Sequence, residues 1–276
     1  MQVNNSVQLD QSAYLNANQA LNRISTGLGI NSAADDASGL AIAENLKVQT
    51  SGISQSIDNV NSGLASLQIA DKAISEQSSI LDTVKEKLLQ ASTDTTSQDG
   101  REAILTEIKD LLENFDNIAS STNYNEQTLL QNTSEDKSVS QGLELQAGER
   151  SEDIIESQGI QSNTQGVGLE DLVNQDAETF SSEDARGYLE SVDNALNTVN
   201  EFRGELGSTQ NQLQSSSTNL LTQHTQLNSA SSIIQDIDYA KETSNFSKQN
   251  VLAQIGAYGA AQSNNINQSI VTRLLS

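Results

Sequence analysis

Seven apolar residues stand one heptad apart in the C-terminal half of the chain: Val192, Val199, Leu206, Leu213, Leu220, Leu227 and Ile234. A seven-residue period held that long predicts a helix that buries a narrow seam against other helices. At ~1.5 Å per residue the run spans roughly 65 Å, so its partner must be an equally long helix or helices laid end to end. The half-heptad positions between are mostly polar: Leu196, Arg203, Gln210, Ser217, His224 and Ser231. One reliable apolar row is weak for a two-stranded coil. It suits a helix that shares its surface among several neighbours.

The same pattern recurs elsewhere. Residues 1–30 carry Val7, Tyr14, Leu21 and Leu28 at heptad spacing, with Ala17 and Ile24 between. Two glycines and polar residues in 27–36 break that helix into a turn or hinge, and Asp35 or Asp36 is placed to cap the helix that follows. From there to about Ser92 the apolar row is Ile53, Ile57, Val60, Leu64, Leu67, Ile74, Leu81 and Leu88. A polar run at 93–100 predicts a loop. A third helix follows, with Ile104, Ile108, Leu111, Phe115 and Ile118 on one face. The period disappears over 121–180, where Leu143, Leu145, Ile154 and Ile155 flank a polar tip and predict a β-hairpin. A last segment carries Val251, Ile255, Tyr258, Ile266, Ile270 and Leu274.

These elements predict a mainly α fold: a long antiparallel helical rod (a coiled-coil bundle) with a small β-hairpin region, its terminal helices pairing into an inner coiled coil. The expected divisions are 1–36, an N-terminal helix; 37–130 and 182–235, the two halves of the rod; 131–181, a short central region; and 236–276, a C-terminal helix. Ile53, Ile57, Val60, Leu64, Leu67, Ile108 and Phe115, with the seven heptad residues above, are the expected rod seam. Two terminal helices of ~30–40 residues seldom bury enough core to stand alone. The arms are therefore expected to need other copies of the same chain.

Composition narrows the function classes. Only 35% of residues are hydrophobic and 3% aromatic, with no Trp, no Pro and no Cys. Without Pro, no helix is kinked by one and no slow prolyl isomerisation delays folding. Without Cys there are no disulfides or thiolate sites. A net charge of −23 argues against nucleic-acid binding, which requires a basic surface. The charge is concentrated: residues 131–185 hold thirteen acids and two bases, whereas 236–276 hold three of each. Near-neutral ends pack together without strong repulsion, and an acidic middle stays in water. No apolar stretch approaches the ~20 residues of a membrane span, and no secretory signal peptide is expected.

Candidate chemistry is sparse. The single histidine, His224, lies on a heptad half-position and reads as a seam or surface residue. One histidine and no cysteine leave zinc sites and His-based triads little to build from. The carboxylates Asp35, Asp36, Glu152, Asp153 and Glu156 read as caps and solvated loops. The glycines of 27–29 and 256–259 complete no phosphate loop. No catalytic residue, cofactor or metal ligand is expected.

Residues 20–46 (ALNRISTGLGINSAADDASGLAIAENL) closely resemble the N-terminal signature of bacterial flagellins. Residues 206–221 and 237–275, including Asp238, Ala240, Glu242, Gln254, Ala261, Leu274 and Leu275, resemble the C-terminal one, and 124–130 and 143–154 resemble the segments between. The resemblance implies a subunit that self-assembles into the flagellar filament and serves swimming motility. Val7, Tyr14, Leu21, Ile24, Leu28, Val251, Ile255, Tyr258, Ile270 and Leu274 would then pack the inner tube. It implies an extracellular location reached by export without a cleaved signal peptide. The implied partners are other copies of the chain, a cap protein, junction proteins and an export chaperone, with no nucleic acid and no membrane. Large outer domains of many relatives are missing, which implies a short form.

The chain departs from the family pattern in places. Gly29 stands where an arginine is usual, and the segment before Arg23 is shorter. The receptor-binding arginine and leucine that innate immune receptors recognise in some flagellins fall here on Thr83 and Lys87, while the nearby glutamate is kept as Glu107. That pattern implies weak recognition. Two other readings remain open: a hook–filament junction protein, with similar arms but few copies, and a secreted coiled-coil binding module, which would be a stable monomer or dimer with ordered ends.

Overall fold

The structure is a computed structural model and describes the backbone of residues 2–275; the side chains of 1–10, 267, 272 and 274–276 lie outside the described residues. Helix α1 (Gln2–Thr26) leads into the long α2 (Ala37–Ala91) and then α3 (Gln98–Ser121). Two small hairpins follow: β1 (Asn123–Tyr124) with β2 (Gln127–Thr128), and β3 (Glu144–Gln146) with β4 (Ile154–Glu156). A short α4 (Glu170–Asn174), the long α5 (Ser182–Gln235) and α6 (Tyr239–Leu275) complete the chain. The fold is mainly α, as the periodicity predicts. It divides into two compact units, Gly52–Gln223 and a second made of Met1–Ser51 with His224–Ser276.

In the unit Gly52–Gln223, α2, α3 and α5 pack side by side. The α2–α5 register shows them antiparallel: Lys85 pairs with Asp193, Asp71 with Arg203 at 3.1 Å, and the Gln210 amide donates to the Leu67 carbonyl at 3.3 Å. Lys87 of α2 likewise pairs with Glu107 of α3. The core between them holds Ile53, Val60, Leu67, Ile74, Leu81 and Leu88 from α2, and Val192, Val199, Leu206, Leu213 and Leu220 from α5. From α3 it takes Ile108 and Phe115, joined by Leu105, Leu112 and Ala119. Ile57, Leu64, Leu111 and Ile118 are only half-buried, at the edges of the apolar face.

Local chemistry sets the ends of these helices. Ser97 caps α3 by accepting from the Gly100 amide, so Gly100 lies in the first helical turn rather than in the loop expected over 93–100. Ser181 and Asp184 form a reciprocal capping box at the start of α5. That contact, made mainly by the Ser181 hydroxyl, holds the Asp184 carboxyl below its usual range.

The segment 129–169 folds over α2 and α3 through a buried polar network. Gln77, fully buried on α2, donates to the carbonyls of Phe115 at 3.0 Å and Ser162 at 2.7 Å, and its own oxygen accepts from the Ser162 hydroxyl. Asp116 of α3 accepts from the Thr164 amide and hydroxyl and pairs with Lys137. Satisfying these groups removes the penalty of burying them. The β3–β4 hairpin matches the one expected from sequence. It seats Leu145 on Gly63 of α2, where a Cβ would lie 2.3 Å from the leucine Cδ1. The β1–β2 hairpin and α4 have no counterpart in the sequence pattern; both are only a few residues long.

Candidate functional site

In the unit made of Met1–Ser51 with His224–Ser276, α1 and α6 lie antiparallel along one another. Ala13, Ala17 and Ala20 of α1 are buried, as is Ala253 of α6. Gln249, Gly256, Ala260 and Ser263 continue the α6 row at intervals of four and three, half-buried. Small side chains let two helix backbones approach closely, and here their Cα atoms come within 8 Å. The bulkier side chains between α2, α3 and α5 hold those backbones further apart.

The large apolar side chains of both helices are consequently left outside the pair. Tyr14, Leu21, Val251, Ile255 and Ile270 are each about half exposed or more, and Tyr258 is 77% exposed. Leu15, Tyr239, Leu252, Ile266 and Val271 join them, although the heptad rule did not single out Leu15, Tyr239, Leu252 or Val271. Ile24 and Leu28 are half-buried, and the side chains of Val7 and Leu274 lie outside the described residues. Leu227 and Ile234, expected in the rod seam, belong to this unit and are half-buried. These exposed side chains are the large apolar groups of a chain whose net charge is −23.

The turn between α1 and α2 is tightly organised. Gly27 takes φ +75°, and its position faces the Tyr239 ring of α6, whose hydroxyl would lie 2.9 Å from an added Cβ. A backbone bridge joins Leu28 and Asp236, with the Ile237 amide donating to the Gly27 carbonyl at 3.2 Å. Asp36 caps α2 by accepting from the Ser38 and Gly39 amides. Asp35 instead closes the turn, accepting from the amides of Asn31 and Ser32, the Ser32 hydroxyl and the Arg23 guanidinium. The guanidinium is the main reason its carboxyl sits below the usual value; burial acts the other way, and the Ser32 hydroxyl and the Asn31 and Ser32 amides lower it further.

Other candidate chemistry stays dispersed. His224 is half-buried, with its ring beside the Asn228 amide. Among the described residues, no group of three or more His, Asp or Glu side chains is placed to hold a metal. No described helix is long and apolar enough to cross a membrane. Thr83 and Lys87 lie on α2, and the Lys87 ammonium pairs with Glu107 across to α3.

Two family models match in sequence order: the bacterial flagellin N-terminal helical region over residues 1–135 and the C-terminal helical region over 189–275. A flagellin of Halalkalibacterium halodurans is 32% identical over 263 residues, covering 94% of this chain and 93% of its own. The chain belongs to the bacterial flagellins. Among solved structures, Bacillus cereus flagellin aligns with TM-score 0.52 at 22% identity, over 59% of this chain and 88% of its own. A structure described as a flagellar hook-associated protein from Vibrio parahaemolyticus aligns with TM-score 0.61 at 14% identity, over 72% and 99%. The helical fold is thus common to flagellins and to at least one protein described as hook-associated. Full-length sequence similarity places the chain with the flagellins. The stretch 136–188, which neither family model matches, carries the β3–β4 hairpin and α4.

Proposed function

We propose that this flagellin builds the filament through the face its terminal helices leave bare. The chain is a structural subunit of the bacterial flagellar filament, and its work is mechanical. The single observation that carries this reading is the division of labour on α1 and α6. Alanines close the pair, and Tyr14, Leu21, Val251, Ile255, Tyr258 and Ile270 remain in solvent. Burying such side chains is worth ~1.5–3 kcal/mol each. Identical chains joined by head-to-tail contacts generate an open helical polymer where the rotation between neighbours does not close into a ring. In this reading Val7, Ile24, Leu28 and Leu274 complete the inner tube, and the unit Gly52–Gln223 supplies the outer wall.

No reaction is assigned to the subunit. Assembly beneath a cap protein, attachment through junction proteins and escort by an export chaperone are part of this proposal, on the ground of family membership. Deleting residues 240–276 tests the mechanism. Electron microscopy of the seeded full-length chain should show long uniform tubes, and the truncated chain should give none. Polymerisation of the truncated chain would overturn the reading. Recovery of the protein as the bulk of sheared surface filaments separates a filament subunit from a junction protein, which is present in few copies.

A further inference from the structure

Where α1 ends, one arginine lies within ion-pair distance of two carboxylates and hydrogen-bonds only one of them. Arg23 Nη2 donates to Asp35 Oδ1 at 3.0 Å, while Nη1 stops 3.7 Å from Glu242 Oε1. Arg23 Nε and Glu242 Oε1 are both buried from solvent and make no hydrogen bond. The two acids are not equally served. Asp35 Oδ2 already receives the Asn31 and Ser32 amides and the Ser32 hydroxyl. Glu242, in the first turn of α6, has the favourable helix N-terminus behind it but no donor on Oε1.

We propose that Arg23 is a clasp with two seats, Asp35 and Glu242, which ties α1 either to the turn 31–35 or to the first turn of α6. A guanidinium offers five donors in a rigid fork, so it keeps one carboxylate while reaching for another. Closing the gap to Glu242 takes a movement of ~1 Å, to the 2.7–2.9 Å of a charge-assisted hydrogen bond. Asp35 tolerates release because three other donors hold its second oxygen. A buried carboxylate oxygen with no donor favours the alternative seat. The neighbouring acids are otherwise engaged: Asp36 caps α2, Asp238 accepts the Lys241 amide, and Asp236 takes the Ser232 hydroxyl. The backbone ties at Gly27–Ile237 and Gly29–Gln235 hold the two chain segments together, so the side-chain clasp is the adjustable part of the junction.

The test follows rotation about the Arg23 Cζ–Nη bonds by NMR of arginine-labelled protein, on the free chain and on sedimented polymer. Arg23→Lys assigns the signal. Rotation should be hindered in the native chain in at least one of these states, and should stay hindered there in both Asp35→Asn and Glu242→Gln. In the double variant it should become fast. Fast rotation in Asp35→Asn alone, or in the native chain in both states, overturns the proposal, because Glu242 would then serve only the helix end. If Asp35→Asn loses helix content, Asp35→Ser replaces it, since a hydroxyl still accepts from the turn.

Discussion

Asp35 and Asp36 are neighbours with separate tasks, one closing a turn and the other capping a helix. The Asp35 carboxyl lies below its ordinary value of 3.8, chiefly through Arg23. A depressed folded value means its contribution is complete above the ordinary value and is lost as pH falls through the folded one. The native chain should therefore melt above Asp35→Asn by a constant margin from pH 8 to about 5, with the two curves converging in stronger acid. A margin that widens on acidification would contradict the assignment. Gln77 is the other decisive residue. Gln77→Leu removes the donor that satisfies the buried Ser162 carbonyl and should cost about 1–3 kcal/mol, read by denaturant unfolding of the Gly52–Gln223 signal.

For the elements, the contrast between α1–α6 and α2–α3–α5 is one of side-chain size. The first pair closes on alanine and glycine; the second group closes on Leu, Ile, Val and Phe. A change in the alanine row and one on the bare face should therefore separate pairing from assembly. Ala17→Leu overpacks the seam and should destabilise the α1–α6 pair by about 1–3 kcal/mol, seen as faster hydrogen exchange along α6. Tyr258→Ala, on the bare face, should leave that exchange unchanged and raise the critical concentration for polymerisation at least tenfold. If both substitutions acted alike, the division between a small seam and a large bare face would be wrong.

At the scale of the whole molecule the net charge is −23, and among the described residues no acidic or histidine cluster is placed to hold a metal. The expectation of weak innate-receptor recognition concerns Thr83, Lys87 and Glu107. Glu107 is present, but Lys87 of the same chain occupies it, and Thr83 lacks the charge of the family's arginine. A reporter-cell assay should show little activation by this chain, with Thr83→Arg and Lys87→Leu together restoring it. Full activation by the unchanged chain would remove the expectation.

The heptads of α2, α3 and α5 were legible because a helix that buries one stripe must repeat its apolar residues at the helical period. The two terminal helices were legible for the same reason, and the hairpin around residues 147–150 from the apolar pairs that flank its polar tip. Which stripe of α1 and α6 faces inward was not legible. Both a bulky and a small row recur at helical spacing, and only the packed pair shows that the alanines close it. The Gln77 network and the Arg23 junction join residues far apart in sequence, such as Gln77 with Ser162 and Arg23 with Glu242. No local period records such a meeting. Periodicity therefore determined that these helices exist and that the chain's ends want partners. Tertiary packing decided which face each helix spends on the pair and which it leaves exposed, because that choice depends on how closely two backbones approach.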